Sequence, residues 1–180
     1  MLYVKGSGYD LSSIPPEGFT ALRMSRLAEL LTLQRLSDPQ MVNELRCARL
    51  DASAPDPSVE ALLHALLPFP AVQHSHADAI VTLTNLQDGE ARVREVFGDD
   101  VVVIPYVMPG FDLAATVARL WPEQSHEGTL GLVLLNHGLF TVGSDTQQAY
   151  ERHIELIDRA ERFLAEHAPA AVLPTAGLPQ

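Results

Sequence analysis

Apolar and polar positions along this chain switch between a period of two and a period near 3.6, and the switches mark its elements. Leu2 to Val4 reads as a short strand running into Gly6-Ser7-Gly8, a turn whose glycines permit backbone conformations other residues avoid. From Pro16 to about Leu31 the apolar residues recur at helical spacing, and Asp38-Pro39 then places a cap and a first-turn proline before a short helix to Arg46. Asp51 to Pro57 reads as a loop. Ser58 caps a helix whose Leu62, Leu63, Leu66 and Leu67 share one side, with Glu60 in its first turn and Pro68 and Pro70 as its stop. Ala71 to His76 is extended, a helix follows to about Leu86, and another spans Asp88 to Phe97. Val101 to Ile104 is a buried strand by composition. Asp112 to Trp121 is helical in pattern. Leu130 to Leu135 and Leu139 to Val142 read as strands joined across Asn136-His137-Gly138, and Asp145 opens a last helix to about Glu166. The expected organisation is a domain over 1–167 and a flexible, Ala- and Pro-rich tail over 168–180. Interleaved strands and helices without a strict βαβ rhythm favour the α/β class, with three α/β/α layers around a mixed or largely antiparallel central sheet.

Composition narrows the function classes. The 180 residues, 47% of them hydrophobic, suffice for one globular core. No apolar run approaches the length needed to cross a bilayer, and the N-terminus lacks the basic and apolar regions of a secretory signal, so a cytoplasmic location is expected. Cys47 is the single cysteine, which rules out an internal disulfide and leaves it as a buried or half-buried apolar residue. A formal charge of −11 with dispersed Lys and Arg argues against nucleic acid as a partner.

Candidate chemistry sits on histidines. His74 and His76 stand two positions apart in an extended segment, where side chains i and i+2 project from one face and reach one ion. Chance proximity of two among seven histidines is the plainer alternative. A third ligand is available at His137, a polar ring on a loop between two apolar strands, although a lone histidine there is more often structural. Three neutral imidazoles suit a borderline divalent ion such as zinc and leave a coordination position open for water or substrate. Glu60 is either a favourable charge at a helix N-terminus or a carboxylate serving as weak ligand or general base.

Taken together, Pro57-Ser58-Val59-Glu60-x-x-x-His64, Val72-x-His74-x-His76 and Leu134-Leu135-Asn136-His137-Gly138-x-x-x-x-Gly143 resemble the class II aldolase/adducin family in order and spacing, over about Tyr3 to Phe163. The resemblance implies that His74, His76 and His137 hold a divalent metal, usually zinc, with Fe2+, Mn2+ or Co2+ as alternatives, and that Glu60 is the catalytic acid/base. It also implies that Gly6, Ser7 and Gly8, with Ser58, contact a substrate phosphate. Tyr106, after Pro105, resembles the tyrosine that donates a proton across a subunit boundary in the sugar-phosphate aldolases.

The sequence departs from the family pattern in three places. It begins after the usual N-terminal helical segment with its Gly-Asn-x-Ser loop, has Ser58-Val59-Glu60 where Ser-Ser-Glu is common, and offers no tyrosine in its tail. The expected function is a metal-dependent lyase that cleaves or forms a C–C bond in a small ketose or hydroxy-keto substrate through a metal-bound enediolate, assembled as a homotetramer. Alternatives on the same scaffold are a pentulose-phosphate epimerase, a decarboxylase or iron oxygenase, and a non-catalytic adducin-like module.

Overall fold

In the computed structural model, which describes residues 1–167, strand β4 (Val101–Ile104) is buried along its whole length. The period of two explains how. Val102 and Ile104 enter one core, and Val101 and Val103 enter another on the opposite face of the sheet. Strands β5 (Gly131–Leu134) and β6 (Gly138–Gly143) divide in the same way: Leu132, Leu134, Phe140 and Val142 face the first core, Val133 and Leu139 the second. Each such side chain contributes about 1.5–3 kcal/mol when fully buried.

Helices cover both faces. On the first lie α1 (Met24–Leu30), α2 (Asp38–Cys47), α3 (Ala61–Leu66) and α6 (Phe111–Gln124); on the second lie α4 (Asp78–Thr84), α5 (Gly89–Phe97) and α7 (Thr146–His167). The result is the expected α/β/α arrangement. With β3 (Ala71–Ser75), the central sheet runs in the order β3-β6-β5-β4. Two neighbouring pairs are antiparallel and β4–β5 is parallel, with α6 making the crossover that parallel neighbours require. A separate two-stranded sheet pairs β1 (Leu2–Lys5) with β2 (Phe19–Leu22).

Three local expectations are corrected. The helical spacing from Pro16 to Leu31 conceals a 3-10 turn at Pro16–Gly18 and strand β2, because Leu22 from β2 enters the same core as Leu27 and Leu30 from α1. Cys47 is exposed, since α2 turns Met41 and Leu45 inward instead. The helix after Pro57 begins at Ala61, so the Ser58 hydroxyl accepts the Glu60 amide at 3.2 Å in a turn before the helix. The flexible tail expected over 168–180 lies outside the described residues. Among the described residues no helix is long and apolar enough to cross a membrane.

Candidate metal centre

The antiparallel pairing of β3 with β6 places Ser75 opposite Leu139 and His74 opposite Phe140. The end of β3 therefore lies beside the hairpin loop that enters β6. His74 stacks on Phe140 with ring centroids 3.9 Å apart, and its Nδ1–H donates to the Leu139 carbonyl at 2.9 Å. His137 arrives from the opposite side on the three-residue turn Leu135–His137. That turn depends on Asn136, whose φ of 58° is one that asparagine tolerates better than most residues. The Asn136 side-chain amide donates to Asn85 Oδ1 at 2.5 Å and lies 3.4 Å from the Thr84 carbonyl, which ties the turn to the end of α4. Gly138 lets the turn close on β3: a Cβ there would lie 2.5 Å from the Ser75 carbonyl oxygen and 3.0 Å from His76 Cδ2.

Into this corner the residue before α3 brings its carboxylate. Glu60 lies 3.0 Å from His74 Nε2, 2.8 Å from His137 Nε2 and 3.9 Å from His76 Nε2, and the His74 and His76 Nε2 atoms are 3.0 Å apart. One donor atom from each of the four residues lies within 4.8 Å of every other. Because the Leu139 carbonyl can only accept, a neutral His74 carries its proton on Nδ1 and turns a bare Nε2 lone pair toward the Glu60 carboxylate. Lone pairs at hydrogen-bond distance repel unless a proton or a metal cation lies between them. His137 Nδ1 is buried without a partner among the described residues, so that ring's polar contacts there run through Nε2. Burial alone would raise the Glu60 pKa; a hydrogen bond from His137, and one from His74 once a proton occupies its Nε2, outweigh burial and hold the carboxyl well below the usual carboxylate range.

The donor set fits a borderline divalent cation. Four ligands about 2.0–2.1 Å from one ion at tetrahedral corners stand about 3.3 Å apart, close to most of the separations here. Side-chain exposures of 10% for His74, 8% for His137 and 15% for Glu60, against 58% for His76, put the open approach on the His76 side.

The other expected site residues are placed as follows. Ser58 adjoins the β1 loop through its amide, which donates to the Lys5 carbonyl at 3.1 Å. In that loop the Gly6 and Ser7 amides already donate to the Gly18 and Asp56 carbonyls at 2.8 and 2.7 Å, leaving the Ser7 and Ser58 hydroxyls as more available donors for an anion. Tyr106 is 54% exposed, its hydroxyl directed at Met108 Sδ at 3.8 Å, and it does not join the histidine cluster. His64 packs edge-on against Phe140, and burial, then the neighbouring His74, lowers its pKa to about 4. Sequence reasoning missed His153. From α7 its Nε2 reaches the Ser75 hydroxyl at 2.7 Å, on the residue between His74 and His76, and its Nδ1 reaches Thr141 Oγ1 at 2.9 Å.

Comparison with known proteins identifies the family of the chain. The chain is 34% identical over 165 residues to the Bacillus subtilis (strain 168) protein YuxG, named as an uncharacterized oxidoreductase; the match covers 91% of the chain but spans only 24% of YuxG. Among solved structures, the N-terminal class II aldolase domain of a conserved Thermoplasma acidophilum protein is 41% identical, with a TM-score of 0.81 over 89% of this chain and 73% of that one. An L-fuculose 1-phosphate aldolase, 19% identical, shares the fold, with a TM-score of 0.61 over 96% of this chain and 74% of its own. The family model for the class II aldolase and adducin N-terminal domain matches residues 1–164, and the chain belongs to that family.

Proposed function

We propose that this chain is a metal-dependent lyase of aldolase type, with His74, His76 and His137 as metal ligands and Glu60 as the acid/base. The observation that carries this reading is the convergence of the Glu60 carboxylate with three imidazole nitrogens, one of which presents a lone pair to it. A divalent cation, zinc foremost, would supply Lewis acidity toward the hydroxyl and carbonyl oxygens of a ketose or hydroxy-keto substrate.

The chain's own residues account for the remaining steps. Glu60 reaches the site from a backbone turn and not through a metal-ligating strand, so its carboxylate can swing off the histidines when substrate oxygens arrive and take or return a proton at the carbon that becomes nucleophilic. A carboxylate is ionised at neutral pH, which leaves Glu60 able to accept that proton. The Ser7 and Ser58 hydroxyls bind the far end of the substrate. Exposure of Tyr106 supports its acting from a neighbouring subunit of a homotetramer, where its hydroxyl would serve the oxygen of the aldehyde half.

The test begins with metal analysis of protein purified without chelator. The expected result is about one zinc per chain, together with aldehyde release from a member of a ketose and ketose-phosphate panel. An isomerised ketose without aldehyde would favour an epimerase, and bound iron with oxygen uptake would favour an oxygenase. A protein that holds no metal and turns over nothing would overturn the proposal.

A further inference from the structure

His153 is a buried titratable group, 7% exposed, in the stripe of α7 that otherwise buries Ala149, Leu156 and Ala160. Both of its ring nitrogens are engaged. Thr141 Oγ1 lies 2.9 Å from the Ala149 carbonyl, which can only accept, so the single threonine hydroxyl proton points there. Thr141 must then accept from His153 Nδ1–H at 2.9 Å. The bare Nε2 in turn accepts the Ser75 hydroxyl proton at 2.7 Å. The proton order therefore has one direction, from Ser75 through His153 and Thr141 to the α7 backbone.

This chain of bonds joins the two strands that carry the metal-binding candidates. Ser75 sits between His74 and His76 at the end of β3, and Thr141 lies in β6, whose first residue follows His137. In the register, Thr141 faces Gln73 and the Ser75 position faces Leu139, so the imidazole bridges β3 and β6 diagonally on the face opposite the His74–Phe140 stack.

We propose that His153 is a positioning residue for the metal centre, acting through Ser75 to fix the end of β3 so that the His74 and His76 rings converge with His137. The proposal rests on the reading of those three histidines as metal ligands. Removing groups that orient a ligand from behind typically costs about ten- to a hundredfold in metal affinity, and one residue further removed should act near the lower figure.

The experiment titrates apoprotein with Co2+ and records its visible absorption for wild type, His153→Phe, Ser75→Ala, the double variant and Val93→Ala. Val93 is a fully buried residue on the same face of the sheet and controls for lost packing alone. The expected result is about tenfold weaker Co2+ binding and a shifted ligand-field spectrum for His153→Phe and for Ser75→Ala. The double variant should be no worse than His153→Phe, because the two act in series. Val93→Ala should lose stability but keep the affinity and spectrum. If wild type takes up no Co2+, the metal reading itself falls and the positioning role with it. If wild type binds while His153→Phe and Ser75→Ala bind equally well with an unchanged spectrum, only the positioning role is overturned. Should His153→Phe fail to fold, Ser75→Ala carries the same test. Long-range 1H–15N NMR of wild type is a second measurement: His153 is expected as the Nδ1–H tautomer, and an Nε2–H tautomer would overturn the proposed proton order.

Discussion

Gly138→Ala is the sharpest single perturbation of the histidine corner. Its φ lies outside the left-handed region, so by conformation alone alanine should be accepted and should even stabilise by about 0.4–1 kcal/mol through the unfolded state. Contact says the opposite. The added Cβ would sit 2.5 Å from the Ser75 carbonyl oxygen, where a carbon and an oxygen normally approach to about 3.3 Å, so the two backbones must part by about 0.8 Å. Both atoms belong to paired strands and neither is the end of a flexible side chain. Overpacking of this kind costs about 1–3 kcal/mol, which leaves a net loss of about 0–2.6 kcal/mol, centred on about 1.3, after the unfolded-state gain. For a chain of this length the central figure is a fall in Tm of about 3–5 °C. The same displacement separates His137 from His74 and His76, and misplacement by about 1 Å at a reacting centre can cost about a hundredfold in rate. Scanning calorimetry of the apoprotein and Co2+ titration of the same preparation would measure both effects. Gly98→Ala is the matched control: its φ of +56° strains alanine but no atom of the described residues lies within 4 Å of the new Cβ, so stability should fall while metal uptake stays. If Gly138→Ala melted at or above wild type and bound Co2+ equally, the close approach of the turn to β3 would have no role in building the site.

Two further predictions concern the site and its surroundings. Glu60→Gln should keep bound metal but lose about a hundred- to ten-thousandfold in single-turnover rate, whereas His64→Gln should matter less; the reverse order would move the proton shuttle to His64. Burial, then the charge on His74, holds the His153 pKa at about 4 against 6.5 in the unfolded chain. The folded pKa is the lower, so the unfolded state binds the proton first, and the apoprotein should lose stability as pH falls from about 6.5 toward 4, by up to about 3 kcal/mol from this group. Denaturant melts across that range should be flatter for His153→Gln, and an equally steep profile in that variant would assign the effect elsewhere.

The parts of the site that were legible in the sequence are those fixed by a period or by a turn. His74 and His76 stand two apart in a segment expected to be extended from Ala71 to His76; the strand covers Ala71–Ser75, His76 follows its last residue, and the two Nε2 atoms converge to 3.0 Å. His137 was legible because a polar ring between two apolar strands has to sit on the hairpin, and the hairpin closes where expected. The layer assignment likewise followed from interleaved elements, and the alternating sides of Val101 to Ile104 account for it physically. What escaped depends on distant partners. Phe19–Leu22 is four residues long, and nothing local distinguishes it from the start of a helix; it becomes a strand because Leu2–Lys5 offers it a ladder. The Gly6-Ser7-Gly8 turn looked like a set of free amides, yet two of them are taken by the carbonyls of Gly18 and Asp56, residues that only the folded chain brings near.

His153 is the instructive omission, because a signal for it did exist. Ala149, His153, Leu156 and Ala160 follow one another at spacings of four, three and four, the inward stripe of an amphipathic helix, and a histidine in such a stripe must find partners for both nitrogens or remain unsatisfied in the core. That requirement is already present in the amino-acid sequence. The identity of the partners is not, since Thr141 and Ser75 lie on two strands whose register with each other and with α7 is set by the whole sheet. Their arrangement makes the polar chain more than a filler of the second core. It crosses from α7 through β6 to β3, and so links the face of the sheet that carries no metal-binding candidate to the strand end that carries two of them. A helix remote in sequence thereby acquires leverage on ligand geometry, and α7 substitutions that keep the apolar stripe but shift it along the sheet should disturb the centre through Ser75 before they disturb the fold.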